Sequence, residues 1–447
     1  MRNIKALLTL STLCGLFFAF YLAIELNAYV GFFLFVPILI YLYLGISNNN
    51  YITINSEKSL AHIAVLIAIG CVALQFIILL FIDDRAIDIT YVIGDSDSFL
   101  YNNIAQVISE NYTIFSQVTS LEHLQDSADK FGYLLNNLGM YWVLGFLYSL
   151  VGYETGPGNF LFINLFCAMA IAHFSTKIAW HYAVNKLTIK AVVIAISLIF
   201  FNPELCTLAF TIKKDFILSA LLISSCYYGI KNQWIIFVVL SSLVLMLRFV
   251  FIPIFIIIIL FSLNKNFTTT LIKLSAKRLL AMFVGVIIVI AAVPHSLFVY
   301  SAFQSVNIAD SLIVELKGSK ILAEHAFLQW CYIIFYPFPP LSPLAYDTIS
   351  SWQSLLTFLI NGYLVYWMCC IGISKFNINT DKIIVLLAIW CALFFLLLLN
   401  LINGVELGII GIAEPRYKIA WWIISCIIMM VTKDDNKIIV LQTKARL

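Results

Sequence analysis

Four short polar clusters interrupt an otherwise apolar chain, and each carries residue types that can move a proton or hold a phosphate. The first is Gly94-Asp-Ser-Asp97. Asp95 and Asp97, spaced i, i+2 beside a helix start, can point into one cavity, where a carboxylate serves as general base or metal ligand. The plainer reading is that Asp95, Ser96 or Asp97 only caps a helix. Leu100, Ile104, Val107 and Ile108 fall on one face of that helix.

The second cluster is Thr211-Ile-Lys-Lys-Asp215. Lys213 and Lys214 suit a phosphate, and Asp215 adds a carboxylate. As a purely structural feature the same run is a pair of snorkelling anchors before a helix N-terminus. The third is Arg248, inside a long apolar stretch. An arginine at bilayer depth costs roughly 2.5–3.5 kcal/mol. It is tolerated at a turn by the headgroups, or it binds an anion in an outward cavity. The fourth is Glu414-Pro-Arg-Tyr-Lys418, where Glu414, Arg416 and Tyr417 either serve a site or form an ordinary polar turn. Glu204, in Asn202-Pro-Glu204, is a weaker candidate.

Together these residues fit transfer from a phosphate-bearing donor. A carboxylate, Asp95 or Asp97 with Asp215 assisting, takes a proton from an acceptor hydroxyl. Lys213, Lys214, Arg248 and Arg416, or a divalent metal on Asp95, Asp97 and Asp215, stabilise charge growing on the leaving phosphate. The ten cysteines lie almost all within apolar runs and show no ligand or disulfide spacing. The six histidines show none either.

The elements that must position these residues are membrane helices. The chain has 447 residues, of which 62% are hydrophobic and 11% charged. Runs of about 20 apolar residues are the signature of transmembrane helices. Candidate spans are 6–24, 28–46, 60–82, 159–182, 191–210, 216–230, 234–247, 250–263, 279–297, 353–372, 383–401 and 418–431. Residues 234–263 can also be one tilted helix interrupted at Arg248 and Pro253. The first run is expected to be a retained span rather than a cleaved signal.

With the N-terminus inside, most of the 26 Lys and Arg face the cytoplasm and most of the 23 Asp and Glu face outward. The stretch from Asn136 to Val151 is then a helix lying on or dipping into the outer leaflet. The expected fold is all-α. It is one polytopic membrane domain of about twelve transmembrane helices over 1–447, with outer segments at 83–158 and 298–352. No cluster of nucleic-acid-binding type is present.

The order of these features resembles the GT-C membrane glycosyltransferases. Asp95, Asp97, Tyr101 and Ala105 match the acidic helix that opens that family's first large outer loop. Met140-Tyr-Trp and Leu150-Val-Gly152 look like its juxtamembrane helix. Lys214-Asp215-Phe216, Arg248 with Pro253, and Arg416-Tyr417 match later motifs in place. Three spans precede the loop, where the family usually has one. The doubled lysine before Asp215 also looks similar to O-antigen and capsule repeat-unit polymerases.

The resemblance implies a GT-C-like fold with juxtamembrane helices in the outer loop. It implies a bacterial inner-membrane glycosyltransferase with both termini cytoplasmic. Its donor would be a sugar or oligosaccharide on a polyprenyl phosphate or diphosphate. Its acceptor would be a lipid or glycan, in cell-surface polysaccharide assembly. Tyr101, Glu204, Glu414 and Tyr417 would support the site. The rival class is a lipid-linked glycan flippase or transporter, since twelve spans with both ends inside is also a carrier pattern.

Overall fold

The computed structural model describes residues 2–47, 56–82, 96–111, 138–183, 187–248, 251–264, 349–374, 385–394, 396 and 415–433. Among these the regular structure is entirely helical, with no strand. The helices are α1 (Arg2–Glu25), α2 (Tyr29–Ser47), α3 (Glu57–Ile82), α4 (Ser96–Asn111), α5 (Leu138–Val151), α6 (Gly156–Tyr182) and α7 (Ile189–Phe200). They continue with α8 (Pro203–Ala209), α9 (Lys214–Ile230), α10 (Trp234–Leu247), α11 (Ile252–Asn264), α12 (Ile349–Ser374) and α13 (Pro415–Lys433). A helical stretch also runs over Val385–Phe394.

Among the described residues four helical stretches are long and apolar enough to cross a bilayer: Ile4–Glu25, Tyr29–Ile46, Glu57–Ile78 and Gly156–Tyr182. Shorter apolar stretches of 10–17 residues include Gly139–Val151, Ile189–Phe200, Trp234–Leu247 and, within α12 and α13, Ser354–Trp367 and Lys418–Thr432. The expected span over 191–210 is broken. α7 ends at Phe200, Asn202 is non-helical, and Pro203 starts α8, because proline has no N–H for the previous turn and clashes with it. The stretch 234–263 is two helices, with Arg248 extended between them. The expected span 279–297 lies outside the described residues, as does nearly all of 298–352.

The surface suits a lipid environment. On α1, Leu10, Leu13, Phe17, Phe20 and Ile24 recur every three or four residues and are exposed. Such a stripe faces hydrocarbon without penalty and is unfavourable in water. The opposite faces pack inward. Phe18, Phe76 and Phe210 meet in tilted and edge-on pairs at centroid distances of 4.3 to 6.0 Å and join α1, α3 and the residues after α8.

Turn chemistry sets the antiparallel order. Asn27 (φ 52°) turns α1 into α2, and Asn232 (φ 58°) turns α9 into α10. Asparagine tolerates the left-handed region better than other side-chain-bearing residues. Gly152 (φ 84°) ends α5, and Pro157 sits in the first turn of α6, where its missing N–H costs nothing.

Hydrogen bonds between elements show which helix ends lie together. The Gly31 N–H at the start of α2 donates to Asn159 Oδ1 at the start of α6 (2.8 Å). Gln75 Nε2, late in α3, donates to the Phe200 carbonyl that ends α7 (3.1 Å). At the other end of the bundle, Lys231 Nζ stands 3.3 Å from His181 Nδ1, and Lys177 Nζ lies 5.3 Å from the Tyr227 ring centroid. Arg2, Lys5, Lys58 and Lys190 begin helices at this second end.

Candidate functional site

The first end of the bundle gathers the polar clusters. α9 begins there at Lys214 and α10 returns to it at Leu247. Lys213 is extended and precedes the helix without a side-chain cap. Asp215 in the first turn meets the positive end of α9's dipole, and Arg248 just beyond α10 meets a negative end. Arg248 Nη2 stands 4.0 Å from Asp215 Oδ1, with side-chain exposures of 19% and 3%.

That separation is an ion pair but too long for a hydrogen bond. Asp215 Oδ1 has no hydrogen-bond partner among the described residues. A buried carboxylate oxygen is normally hydrogen-bonded, since desolvating it otherwise costs several kcal/mol, on the order of 1–3 or more for a charged group. Among the described residues the group that faces this oxygen is the Arg248 guanidinium.

The turn before Asp215 is held from below. Asn164, fully buried in α6, directs Nδ2 at the carbonyls of Leu208, Ala209 and Thr211 at 3.4, 3.2 and 3.1 Å. These carbonyls lie at and just past the end of α8, where helix geometry leaves them without partners. Asn164 thus ties the end of α8 and the turn into α9 to α6. Ser219 Oγ donates to the Asp215 carbonyl (2.8 Å), within α9.

Helices α4 and α5 cover the same place. Ser98 Oγ, in the first turn of α4, donates to the Ile212 carbonyl (3.3 Å). This puts the backbone of Asp97 beside the Lys213–Asp215 turn. α4 packs its Tyr101, Ile104, Ala105 and Ile108 face inward, and Tyr101 meets the Tyr141 ring of α5 at 5.7 Å. Tyr148 of α5 donates from its hydroxyl to Asn102 Oδ1 (2.8 Å). Burial pushes the Tyr148 phenol well above its usual range. Gly139 lies against α10, so close that an added Cβ would fall 2.6 Å from the Met246 carbonyl oxygen. Only glycine permits that approach.

The structure therefore brings together Asp215, Arg248, the Lys213–Lys214 turn and the start of the helix that carries Asp97. Lys214 is buried and Lys213 half-buried. Tyr101 is a packing residue between α4 and α5, 2% exposed. Arg416 and Tyr417 lie in the first turn of α13, and Glu204 lies within α8. Their side chains, and that of Asp97, fall outside the described ones. Asp95 and Glu414 lie outside the described residues altogether. Among the described residues no three His, Cys, Asp or Glu come together as a metal site, and Asp215 faces a guanidinium instead.

Sequence reasoning did not single out Asn164, Ser98 or Gly139. Asn164 carried a signal: it is a lone amide inside the apolar run Phe160–Phe166, and polar groups at bilayer depth need partners. Gly139 and Ser98 carried none, because their roles depend on which helix lies opposite.

Among the described residues the fold is all-helical and suited to a membrane, with a charged pair buried at one end of its bundle. No family model, curated protein or solved structure matches the chain.

Proposed function

We propose that this chain is a membrane glycosyltransferase acting at the non-cytoplasmic end of its bundle. It uses a sugar or oligosaccharide on a polyprenyl phosphate or diphosphate, in the assembly of a cell-surface polysaccharide. The observation that carries this reading is the buried Asp215–Arg248 pair beside the start of the acidic helix α4.

Charge placement supports the sidedness. Arg2, Lys5, Lys58, Lys177, Lys190 and Lys231 gather with Glu57 at the end away from the site, while Glu25, Glu154, Asp97 and Asp215 join Lys213, Lys214 and Arg248 at the site end. Basic residues in short connections stay cytoplasmic. Helix length supports a recessed site. α10 has 14 residues and spans about 21 Å, against a hydrocarbon core of about 30 Å. The pair then lies below the outer surface, with α4 and α5 covering it from the loop. A carrier reading draws less support, because the ionisable groups of the site collect at one end of the helices.

The chemistry follows from the residue types. The acceptor hydroxyl oxygen bonds to the anomeric carbon as the bond from that carbon to the phosphate oxygen breaks. The hydroxyl proton passes to Asp97 or Asp95, with Asp215 assisting. The electron pair of the broken bond stays on the phosphate, whose charge Lys213, Lys214, Arg248 and Arg416 neutralise. No step needs a metal, though Asp95, Asp97 and Asp215 are the residues that would hold one.

The test is transfer by purified protein in proteoliposomes supplied with a polyprenyl-diphosphate-linked glycan. The wild type changes the product ladder, while Asp97→Asn and Asp215→Asn insert normally and do not. A wild type that alters only which leaflet holds the glycan points to a flippase and ends the reading.

A further inference from the structure

At the end of the bundle away from Asp215, cations line up within the helices as well as beyond them. His173, Lys177 and His181 follow one another four residues apart on α6, so they form one stripe along its last turns. The stripe is about 12 Å long, at about 1.5 Å per residue. That exceeds the head-group layer, about 5–7 Å on each side of the hydrocarbon core.

α9 packs along α6, and the two meet at this stripe. Lys231 Nζ, just past the end of α9, lies 3.3 Å from His181 Nδ1. Lys177 Nζ lies 5.3 Å from the centroid of the Tyr227 ring. The Phe174 ring meets Tyr227 and Tyr228 at centroid distances of 5.3 and 5.4 Å. α3 also packs on α6. It carries Lys58 and His62, again four apart, and His62 stands near enough to His173 and Lys177 for their charges to act on one another.

Two simpler roles leave this arrangement unexplained. A positive-inside signal needs basic residues only in the connections next to the helices. Cations that complement a helix C-terminus sit at its last turn, as His181 and Lys231 do. Lys177 and His173 lie further in. Nor do acids hold the two lysines. Glu57 opens α3 at this end, but among the described residues neither Lys177 nor Lys231 forms an ion pair with a carboxylate. Half-buried cations gathered without a counter-charge repel one another, and an anion between them relieves that cost.

The atom types say which anion. An ammonium only donates, so His181 Nδ1 accepts from Lys231 and the ring hydrogen sits on Nε2. The groove therefore presents donors, and a phosphate only accepts. Phe174 and Tyr228 are half-buried beside these donors and offer apolar surface that a free anion does not use. We propose that the groove between α6 and α9 binds an anionic glycerophospholipid, its phosphate between Lys177 and Lys231 and its acyl chains against Phe174 and Tyr228. The proposal rests on the glycosyltransferase reading only for the leaflet, which is then the cytoplasmic one.

The experiment is thermal unfolding of the full chain in neutral detergent micelles, titrated with phosphatidylglycerol, phosphatidylcholine or inorganic phosphate. Phosphatidylglycerol raises the midpoint saturably. Phosphatidylcholine, whose choline cation the lysines repel, and inorganic phosphate do not. Lys177→Gln/Lys231→Gln weakens the response about tenfold or more. Lys5→Gln/Lys190→Gln removes the same charge from other helices at this end and leaves it within about twofold. Lys231→Gln alone, at a turn outside the helices, weakens it in the same direction without disturbing the packing. Equal weakening by both double variants reveals a diffuse surface field and overturns the proposal. So does an equal response to inorganic phosphate, wild-type affinity in Lys231→Gln, or no saturable response from the wild type. Glycan transfer has no part in this readout, so failure of either claim is distinguishable from failure of the other.

Discussion

Arg248 closes α10 where Asp215 opens α9, and their side chains meet at 4.0 Å, mostly out of solvent. The two helices form an antiparallel hairpin turned at Asn232, so a residue near the start of one must lie near the end of the other. Each charge also complements its own helix dipole. The pair is thus fixed by backbone topology and not by two flexible side chains finding each other.

Removing one partner should cost more than removing both. Arg248→Met leaves the Asp215 carboxylate buried without its cation, a loss of about 3–5 kcal/mol for a fully buried pair. The partial exposure of Arg248 places the effect toward the lower figure. Asp215→Asn/Arg248→Met should recover most of that stability in thermal unfolding, yet stay inactive. Asp215→Asn alone should lower transfer ~100-fold or more, the range for loss of a proton-handling group.

Asn164 offers a test of positioning. Its amide nitrogen has two hydrogens for the carbonyls of Leu208, Ala209 and Thr211. Asn164→Leu should destabilise by about 1–3 kcal/mol, since buried carbonyls lose their donor. Asn164→Asp should be worse, because it places an acceptor against acceptors. Both should reduce the maximal rate of transfer more than a comparable loss of stability elsewhere, such as Ser225→Ala. Ser225 bonds Ser241 between α9 and α10, away from the turn.

Tyr148 predicts an alkaline limit. Burial raises its phenol pKa in the folded state, whereas an unfolded tyrosine ionises near about 10. The folded form holds the proton more tightly, so this contribution is complete below pH ~10 and falls as pH rises further. The unfolding midpoint should drop between about pH 9 and about pH 11, around the pKa of an unfolded tyrosine. Tyr148→Phe should lose the Asn102 hydrogen bond and flatten that part of the drop.

The two ends of the bundle should lie on opposite sides of the membrane. Glu154 is exposed between α5 and α6 at the site end, and Asn232 is exposed at the far end. In intact cells a membrane-impermeant maleimide should label Glu154→Cys. Asn232→Cys should react only after permeabilisation. Equal labelling of both in sealed cells would falsify the sidedness.

Much of the helical layout was legible because apolar run length is a one-dimensional property. The stretches 28–46, 60–82, 159–182 and 234–247 lie within or match α2, α3, α6 and α10 to within a residue or so. The stretch ending at Val151 was legible as a helix from its apolar run. The break at Asn202-Pro203 was visible as punctuation, but that it splits the helix into α7 and α8 was not. A proline in a membrane helix can kink it or end it, and its surroundings decide which.

Residue chemistry and charge order, both carried by the chain itself, determined that the protein is helical and apolar, and which polar clusters compete for a role. Only the tertiary structure decided that Asp215 meets Arg248, that Ser98 brings the acidic helix to the same turn, and that Asn164 supports it. Those residues are 33, 114 and 47 positions from their partners. At such separations the chain's local pattern carries no information about contact. The packing of α4, α6, α9 and α10 against one another selects the pairs, through close approaches such as Gly139 on Met246.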